Sequence, residues 1–146
     1  MFKKSFTLIE LLVVVAIISI LASALMVGLG GARKQARDAR RISDLRTVQA
    51  ALEVYYAQNN EYPGVDGWDN LESALAGITS QLPRDPLSSQ SYNYTHCDSQ
   101  QRYILWAHLE DGTNCPQNYT SPDTSGCNTA LDCDCVNNQN YCVSFK

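Results

Sequence analysis

Proline, cysteine and charge are each missing from long stretches of the N-terminal half. No proline occurs between Phe6 and Tyr62, so nothing there removes a helical hydrogen bond, and one nearly continuous helix of roughly 50 residues is predicted. No cysteine precedes Cys97, which excludes disulfides and thiolate metal sites from this part of the chain. No charged residue occurs in Leu11–Ala32. The opening segment is therefore expected to be helical and strongly apolar.

Motifs of the common catalytic sites are also missing. The chain has no glycine-rich phosphate loop, no H-E-x-x-H and no G-x-S-x-G. Its two histidines, His96 and His108, have no nucleophile motif near them. We therefore expect a structural protein rather than an enzyme, and one without a cofactor.

The uncharged run is long enough to cross a membrane. Its 22 residues would span about 33 Å as a helix, against roughly 30 Å for the hydrocarbon core of a bilayer. Lys3 and Lys4 precede it, as in an anchor whose amino terminus stays in the cytoplasm. We therefore predict a membrane-spanning helix over residues 6–32, with the rest of the chain outside.

A cleaved secretory signal is an alternative interpretation of the same segment. Ala22, Ser23 and Ala24 satisfy the small-residue cleavage rule, and a cut after them would release a soluble protein that begins at Leu25. However, Glu10 lies within the apolar core, where a carboxylate costs about 2.5–3.5 kcal/mol, and the apolar run continues beyond the cut. These two features favour the anchor.

Charge is divided unevenly along the chain. Residues 1–46 carry eight basic and three acidic residues, a net charge of +5, and the remainder has a net charge of −9. Such ends attract their counterparts on neighbouring copies and set register more than affinity, because exposed ion pairs contribute only about 0–1 kcal/mol. The basic cluster flanks an apolar helix and is diluted by Asp38 and Asp44, so nucleic acid is not expected as a partner.

Residues 33–60 are predicted to continue the helix with one buried face. Apolar residues recur there at spacings of three and four, at Ala39, Ile42, Leu45, Val48, Leu52, Tyr55 and Tyr56. The helix is expected to end near Asn59 and Asn60.

Residues 61–146 are predicted to form a small head. A short helix capped by Asp69 or Asn70 would carry the apolar side chains of Leu71, Leu75 and Ile78. The alternating sequences SYNYT, RYILWAHLED and YCVSF are typical of strands. The predicted fold class is α+β, with the long helix packed on a small antiparallel sheet.

The six cysteines all lie in the last 50 residues, in a polar tail that begins at about residue 97. An even number of cysteines in an exported region with a weak core predicts disulfides, among Cys97, Cys115, Cys127, Cys133, Cys135 and Cys142. Six cysteines allow 15 pairings, and the sequence does not choose among them. Zinc is the alternative, but their spacing does not supply two C-x(2–4)-C pairs.

The stretch KKSFTLIELLVVVAII resembles the leader and amino terminus of type IV pilins and of type II secretion pseudopilins. The resemblance implies a leader at residues 1–5, removed by a prepilin peptidase between Ser5 and Phe6, and methylation of the new Phe6 terminus. Glu10 becomes the fifth residue of the mature chain. Ser5 departs from the glycine that this family prefers before the cut.

The family resemblance also implies a role for Glu10. The new amino group of Phe6 on an adjacent subunit would neutralise the Glu10 carboxylate where the low dielectric strengthens attraction. In the isolated subunit, the alternative is that Glu10 sits at headgroup depth and reaches water. A membrane assembly platform and its ATPase are the further partners that the resemblance implies.

A second resemblance, to the major pseudopilin, lies in the head. The series YYAQNNEYP, LPRDP and SYNY resembles the layout of that protein. In this layout, Tyr-Pro follows the long helix, and Pro-x-Asp-Pro precedes a Tyr-x-Tyr strand. The matching residues here are Tyr62, Pro63, Pro83, Asp85, Pro86, Tyr92 and Tyr94. Asp85, held extended before Pro86, suits a carboxylate that fastens a loop to backbone amides.

Calcium is a ligand that the same resemblance suggests, because major pseudopilins often bind it near the carboxyl end. Asp123, Asp132 and Asp134 would supply oxygen ligands, although no EF-hand spacing is present.

These patterns together predict a structural subunit of a type IV pilus-like filament, used for adhesion, motility or uptake. The subunit would wait in the cytoplasmic membrane as a single-pass precursor and then join an extracellular or periplasmic homopolymer. A major pseudopilin of type II secretion is the alternative. A membrane-tethered or secreted binding module, which would not polymerise, is an alternative of another class.

Overall fold

The computed structural model describes residues 7–129 and 131–145. In chain order the elements are helix α1 (Leu8–Asn59), helix α2 (Trp68–Ala74), strand β1 (Asn93–Cys97), strand β2 (Arg102–His108), a 3-10 helix (Gly112–Asn114) and strand β3 (Asn140–Phe145). The chain divides into two compact units, one ending at Lys34 and the other beginning at Gln35. The predicted α+β class and the end of the long helix are confirmed.

The first unit contains the upstream part of α1, where the apolar side chains of residues 8–23 are exposed. Leu8 is 78% exposed and Ile20 is 70% exposed. The large side chains between them are all about half-exposed or more. Within the described residues, no helix contains a stretch both long and apolar enough to span a membrane. The membrane span predicted from the sequence is thus not confirmed.

The second unit buries one face of α1. Leu45, Val48 and Leu52 are at most 1% exposed and belong to one core cluster with residues of the sheet. Ala39, predicted on this face, is exposed, and that prediction is wrong. The buried face continues upstream through Arg41 and Asp38 instead, because the steps from 38 to 41 and from 41 to 45 keep the spacing of three and four.

The N-cap of helix α2 lies two residues before Asp69 and three before Asn70, the predicted caps. Gly67 is the N-cap residue, with a φ of 86° and no side-chain cap, so the prediction of Asp69 or Asn70 is wrong. The start is fixed by tertiary contacts of Trp68, because its indole N–H donates to the carbonyl of Pro83 at 3.1 Å and its ring lies 5.2 Å from that of Tyr92. Glycine suits the left-handed backbone that precedes the helix.

The sheet is a three-stranded antiparallel meander in the order β1-β2-β3. Tyr94 pairs with Leu105, and Leu105 pairs with Val143, so these residues share one face. Strand β2 is central and almost wholly buried. All three predicted strands are confirmed, and β3 forms one edge of the sheet.

Three disulfides close the tail, as the cysteine count predicted. They join Cys97 to Cys127, Cys115 to Cys135 and Cys133 to Cys142, across 30, 20 and 9 residues. Each such bond typically contributes about 2–4 kcal/mol by restricting the unfolded chain. Since the tail between β2 and β3 is mostly irregular, these bonds supply order that a core does not.

Candidate functional site

The N-terminal end of α1 is capped by three reciprocal hydrogen bonds between Thr7 and Glu10. The Oε2 atom of Glu10 accepts from the backbone N–H of Thr7 at 2.9 Å and from the Thr7 hydroxyl at 2.7 Å. In return, the backbone N–H of Glu10 donates to Oγ1 of Thr7 at 3.3 Å. This is a capping box, which satisfies helix donors that would otherwise have no partner. Glu10 therefore has a local role in the single subunit, and Ser5 and Phe6 lie outside the described residues.

The helix that follows Glu10 presents an apolar surface without internal cover. Ser19 and Ser23 donate their hydroxyls to carbonyls one turn upstream, Val15 and Ser19, so the polar groups of these serines are satisfied within the helix. A helix that is apolar all round is stable only when other apolar groups surround it. In the described single chain, the large side chains from Leu8 to Leu21 are exposed, so this surface is available to other apolar groups.

Five charged side chains form an ion-pair cluster in the head: Arg37, Asp38, Arg41, Asp85 and Glu110. Arg41 makes a bidentate pair with Asp85, with Nε 2.7 Å from Oδ2 and Nη2 2.8 Å from Oδ1. Nη1 of Arg41 also contacts Asp38 at 2.6 Å and Glu110 at 3.0 Å. Arg37 holds both oxygens of Glu110, at 2.5 and 2.6 Å. The side chains of Arg41, Asp38 and Asp85 are at most 1% exposed.

The cluster joins α1 to two loops. Asp38 accepts from the backbone N–H of Glu110 at 2.9 Å and from the side-chain amide of Asn114 at 2.6 Å, which fixes the loop after β2. Asp85 accepts from the backbone N–H of Leu87 at 2.8 Å and also pairs with Arg41. It therefore stabilises its own loop and connects that loop to α1. Both loops therefore depend on charges of α1.

Charge pairing in the cluster shifts the titration of its members. The hydrogen bonds to Asp85 raise the pKa of Arg41, although burial opposes the shift. The hydrogen bonds from Arg37, and after them those from Arg41, lower the pKa of Glu110 to about 2 against the effect of desolvation. Arg41 and Glu110 are consequently charged at neutral pH.

The loop that carries Pro83, Asp85 and Pro86 follows α2 in the chain and contacts both α1 and α2. Its Pro83 carbonyl accepts from Trp68, as described above, and its Arg84 points outward to Asp69 at 2.7 Å and to Glu72. Tyr92 follows the loop and donates its hydroxyl to Asp44 of α1 at 2.8 Å. The head motif therefore connects α1 and α2 within the head.

The three aspartates considered for calcium are bonded within the tail. Asp123 accepts from the backbone and hydroxyl of Ser125, Asp134 accepts from the backbone of Val136 and Asn137, and Asp132 accepts from Asn138. In the part of the chain that the structure describes, no three His, Cys, Asp or Glu side chains are grouped so as to hold a metal ion. The structure does not bring these aspartates together.

Sequence reasoning missed Thr7 and most of the ion-pair cluster. Thr7 was visible in the sequence, since T-x-x-E before an apolar run is the signature of a capping box. Asp38 and Arg41, three residues apart, were visible as a helical ion pair. Their burial was not visible, because it depends on Asp85 and Glu110, which are more than 40 residues away in the chain.

Comparisons with known proteins agree with the architecture. Residues 1–26 match the family described as the prokaryotic N-terminal methylation motif. The type II secretion system core protein G of Aeromonas hydrophila is 33% identical over 96 residues, which cover 58% of this chain and 67% of that protein. Its counterpart in Klebsiella pneumoniae is 32% identical over 99 residues, covering 60% and 71%.

A pilus protein is also similar. The type IV wide pilus major component of Thermus thermophilus is 48% identical over 59 residues, which cover 40% of this chain and 45% of that protein. The methylation motif, the long helix on a three-stranded sheet and relatives of both kinds lead to one assignment. The chain belongs to the family of type IV pilins and type II secretion pseudopilins, the structural subunits of pilus-like filaments.

Proposed function

We propose that this chain is the subunit of a type IV pilus-like filament that assembles through α1 after a prepilin peptidase has cut between Ser5 and Phe6. The single observation that carries the proposal is the apolar surface of α1, whose large side chains are exposed from Leu8 to Leu21. Bundled copies of the same helix would cover this surface. The precursor waits in the cytoplasmic membrane until an assembly platform and its ATPase move it into the growing filament.

The Glu10 carboxylate can bind the proposed Phe6 amine and keep its hydrogen bonds to Thr7. Its two hydrogen bonds to Thr7 end on the same oxygen, Oε2, and Oε1 makes no hydrogen bond within the described residues. A carboxylate accepts several hydrogen bonds, so the methylated amine of Phe6 on an adjacent subunit can bind Oε1 without breaking the cap. In an apolar bundle this pairing would set the axial match between helices.

Glu10→Gln separates charge from capping. Glutamine serves as well as glutamate in a capping box, so this variant keeps the helix end and loses only the negative charge. We expect it to be produced and matured normally but to form few filaments, as judged by electron microscopy and by the sheared-filament fraction. Thr7→Ala is the matched control, because it removes the hydroxyl that makes two of the three capping hydrogen bonds and keeps the charge, and it should still polymerise. Abundant filaments from Glu10→Gln would contradict the pairing.

Mass spectrometry of the mature chain tests the assignment itself. A terminus at methylated Phe6 supports a filament subunit, whereas a terminus at Leu25 supports a secreted binding module. Retention of residues 1–5 in assembled filaments would refute the proposal.

A major pseudopilin of type II secretion is the second candidate. The Pro-Arg-Asp-Pro loop and its buried contact with Arg41 favour it, since this loop carries the resemblance to the major pseudopilin. The disulfide-closed tail favours a surface filament. Long fibres outside the cell would support a pilus, and short periplasmic fibres that accompany export of other proteins would support a pseudopilin.

A further inference from the structure

An open groove of about 540 Å³ lies beside the free edge of the sheet. The loop of residues 116–122 forms one wall, residues 141–144 form the other, and Arg46 of α1 lines it as well. The Tyr119 hydroxyl accepts from the backbone N–H of Cys142 at 3.2 Å, and the rings of Tyr119 and Tyr141 lie 5.3 Å apart. The groove is therefore a shaped feature of the head, held by the tail.

Arg46 differs from the other arginines of the second unit. Within residues 35–145, ion pairs are made by Arg37, Arg40, Arg41, Arg84 and Arg102. Arg46 makes no ion pair and no side-chain hydrogen bond with any described residue, and it is exposed. Residues 35–145 contain six arginines and fourteen acidic residues, a net charge of −8. The head has many acidic residues that could pair with a cation. Arg46 therefore lacks a partner because of where it lies on α1, not because acidic residues are scarce.

Glu61 is the acidic counterpart of Arg46. It is exposed, and its side chain makes no ion pair or hydrogen bond with a described residue. It follows the end of α1 by two residues, and the last turn of α1 contains no basic residue. A carboxylate beside the negative end of a helix dipole is unfavourable without a cation. Residues 58–61 are all exposed and form a polar projection.

These two residues cannot pair within one chain. Arg46 lies 13 residues before the end of α1 at Asn59, and a rise of 1.5 Å per residue separates the two sites by about 20 Å. When two complementary sites on one subunit each contact a different neighbouring copy, the contact is heterologous and repeats into an open helical assembly unless it closes into a ring. Such a repeating contact fits the proposed filament, whereas a two-fold dimer would use both sites in one interface.

We propose that the groove around Arg46 receives Glu61 of a second copy of this chain. The inference rests on the proposed filament function and names a contact between heads within it. The guanidinium pairs with the carboxylate of Glu61, and the amides and hydroxyls of residues 117–121 face the polar projection of residues 58–61. Each head in the filament interior donates one such contact and accepts another.

Charge exchange in the full-length chain tests this contact. Arg46→Glu and Glu61→Arg each place like charges together, and each should lower filament yield about fivefold or more at low salt. The double variant restores opposite charges and should recover most of the yield. The differences should shrink in high salt because screening weakens exposed pairs. Arg40→Glu is the matched control: it lies on the same helix but is already paired with Asp44 at 3.7 Å, and Glu61→Arg should not rescue it.

Each outcome of the exchange is decisive. Recovery in the double variant alone supports the contact. The proposed contact would be overturned by normal filaments from both single variants, by a defect in only one of them, or by two defects that the double variant does not repair. These results include the case in which another acidic partner occupies the groove. Failure of the wild-type chain to form filaments would instead refute the proposed function. Thermal unfolding of the detergent-solubilised subunits checks that all variants fold alike.

Discussion

Replacing Arg41 with methionine tests whether the ion-pair cluster holds the head together. Methionine keeps much of the length of the side chain and removes its charge. Asp38 and Asp85, whose side chains are 0% and 1% exposed, would then remain buried without their shared cation. Removing one partner of a buried ion pair costs about 3–5 kcal/mol, because the other charge is left uncompensated. We expect Arg41→Met to lower the free energy of unfolding of the head by this amount.

Arg84→Met is the matched control for this experiment. Arg84 also carries a pair of acidic partners, but its side chain is 52% exposed and that of Asp69 is 84% exposed. Exposed pairs contribute about 0–1 kcal/mol, so this substitution should be nearly neutral. Urea unfolding of the full-length chain in detergent, followed by tryptophan fluorescence, measures both variants, since Trp68 and Trp106 both lie in the head. For a head of this size, Arg41→Met should lower Tm by roughly 10–20 °C.

The comparison of the two variants decides the matter. Equal midpoints for Arg41→Met and Arg84→Met would show that burial of the cluster does not govern stability. A midpoint for Arg41→Met above that of the wild type would mean that the desolvation of five charges outweighs their attraction, as happens when an apolar replacement packs well.

Two further predictions concern the same region. Because the pKa of Glu110 is lowered to about 2 in the folded head, its contribution to stability is complete above its unfolded pKa of about 4.5 and is lost as the pH falls towards 2. Midpoints measured from pH 6 to 2 should therefore drop less in Glu110→Gln than in the wild type, and parallel curves would count against the pairing. Gly112→Ala should destabilise the head by about 1–3 kcal/mol, since its Cβ would lie 2.2 Å from the carbonyl oxygen of Val136. Gly77→Ala meets nothing within 4 Å and should be neutral; an equal loss in both would contradict the steric argument.

The helices and strands could be predicted from the sequence because its local patterns favour the same elements that tertiary packing stabilises. The absence of proline before Pro63 and the spacing of Leu45, Val48 and Leu52 both indicate helix, and the alternation around Leu105 indicates a strand. The start of α2 was not predictable from capping preferences, because the anchoring of Trp68 by Pro83 and Tyr92 outweighs the weaker preference of Asp69 for a cap position. Tertiary packing decides such boundaries.

The candidate functional residues also divide into those that the sequence reveals and those that only long-range contacts reveal. Glu10 stands out in sequence because a charge in an apolar run is costly, so one residue is enough to reveal it. Apart from Asp85, which the head motif indicated, the members of the cluster around Arg41 are hidden, since each is an ordinary charged residue in the sequence. Only long-range contacts show that Asp85 and Glu110 converge on it. Disulfide connectivity is hidden for the same reason, because the pairing of Cys97 with Cys127 depends on how the tail returns to the sheet.

Burial sorts the charges of this subunit into two groups with different uses. The charges of Asp38, Arg41 and Asp85 cannot be offered to a neighbouring subunit, because moving one of them would leave the others buried without compensation. Arg46 and Glu61 lie in water, so leaving them unpaired costs the single subunit little, and pairing them later gains only a small, salt-dependent free energy per contact. A head whose own stability depends on buried pairs, and whose proposed contacts depend on exposed ones, would therefore join and leave an assembly without unfolding.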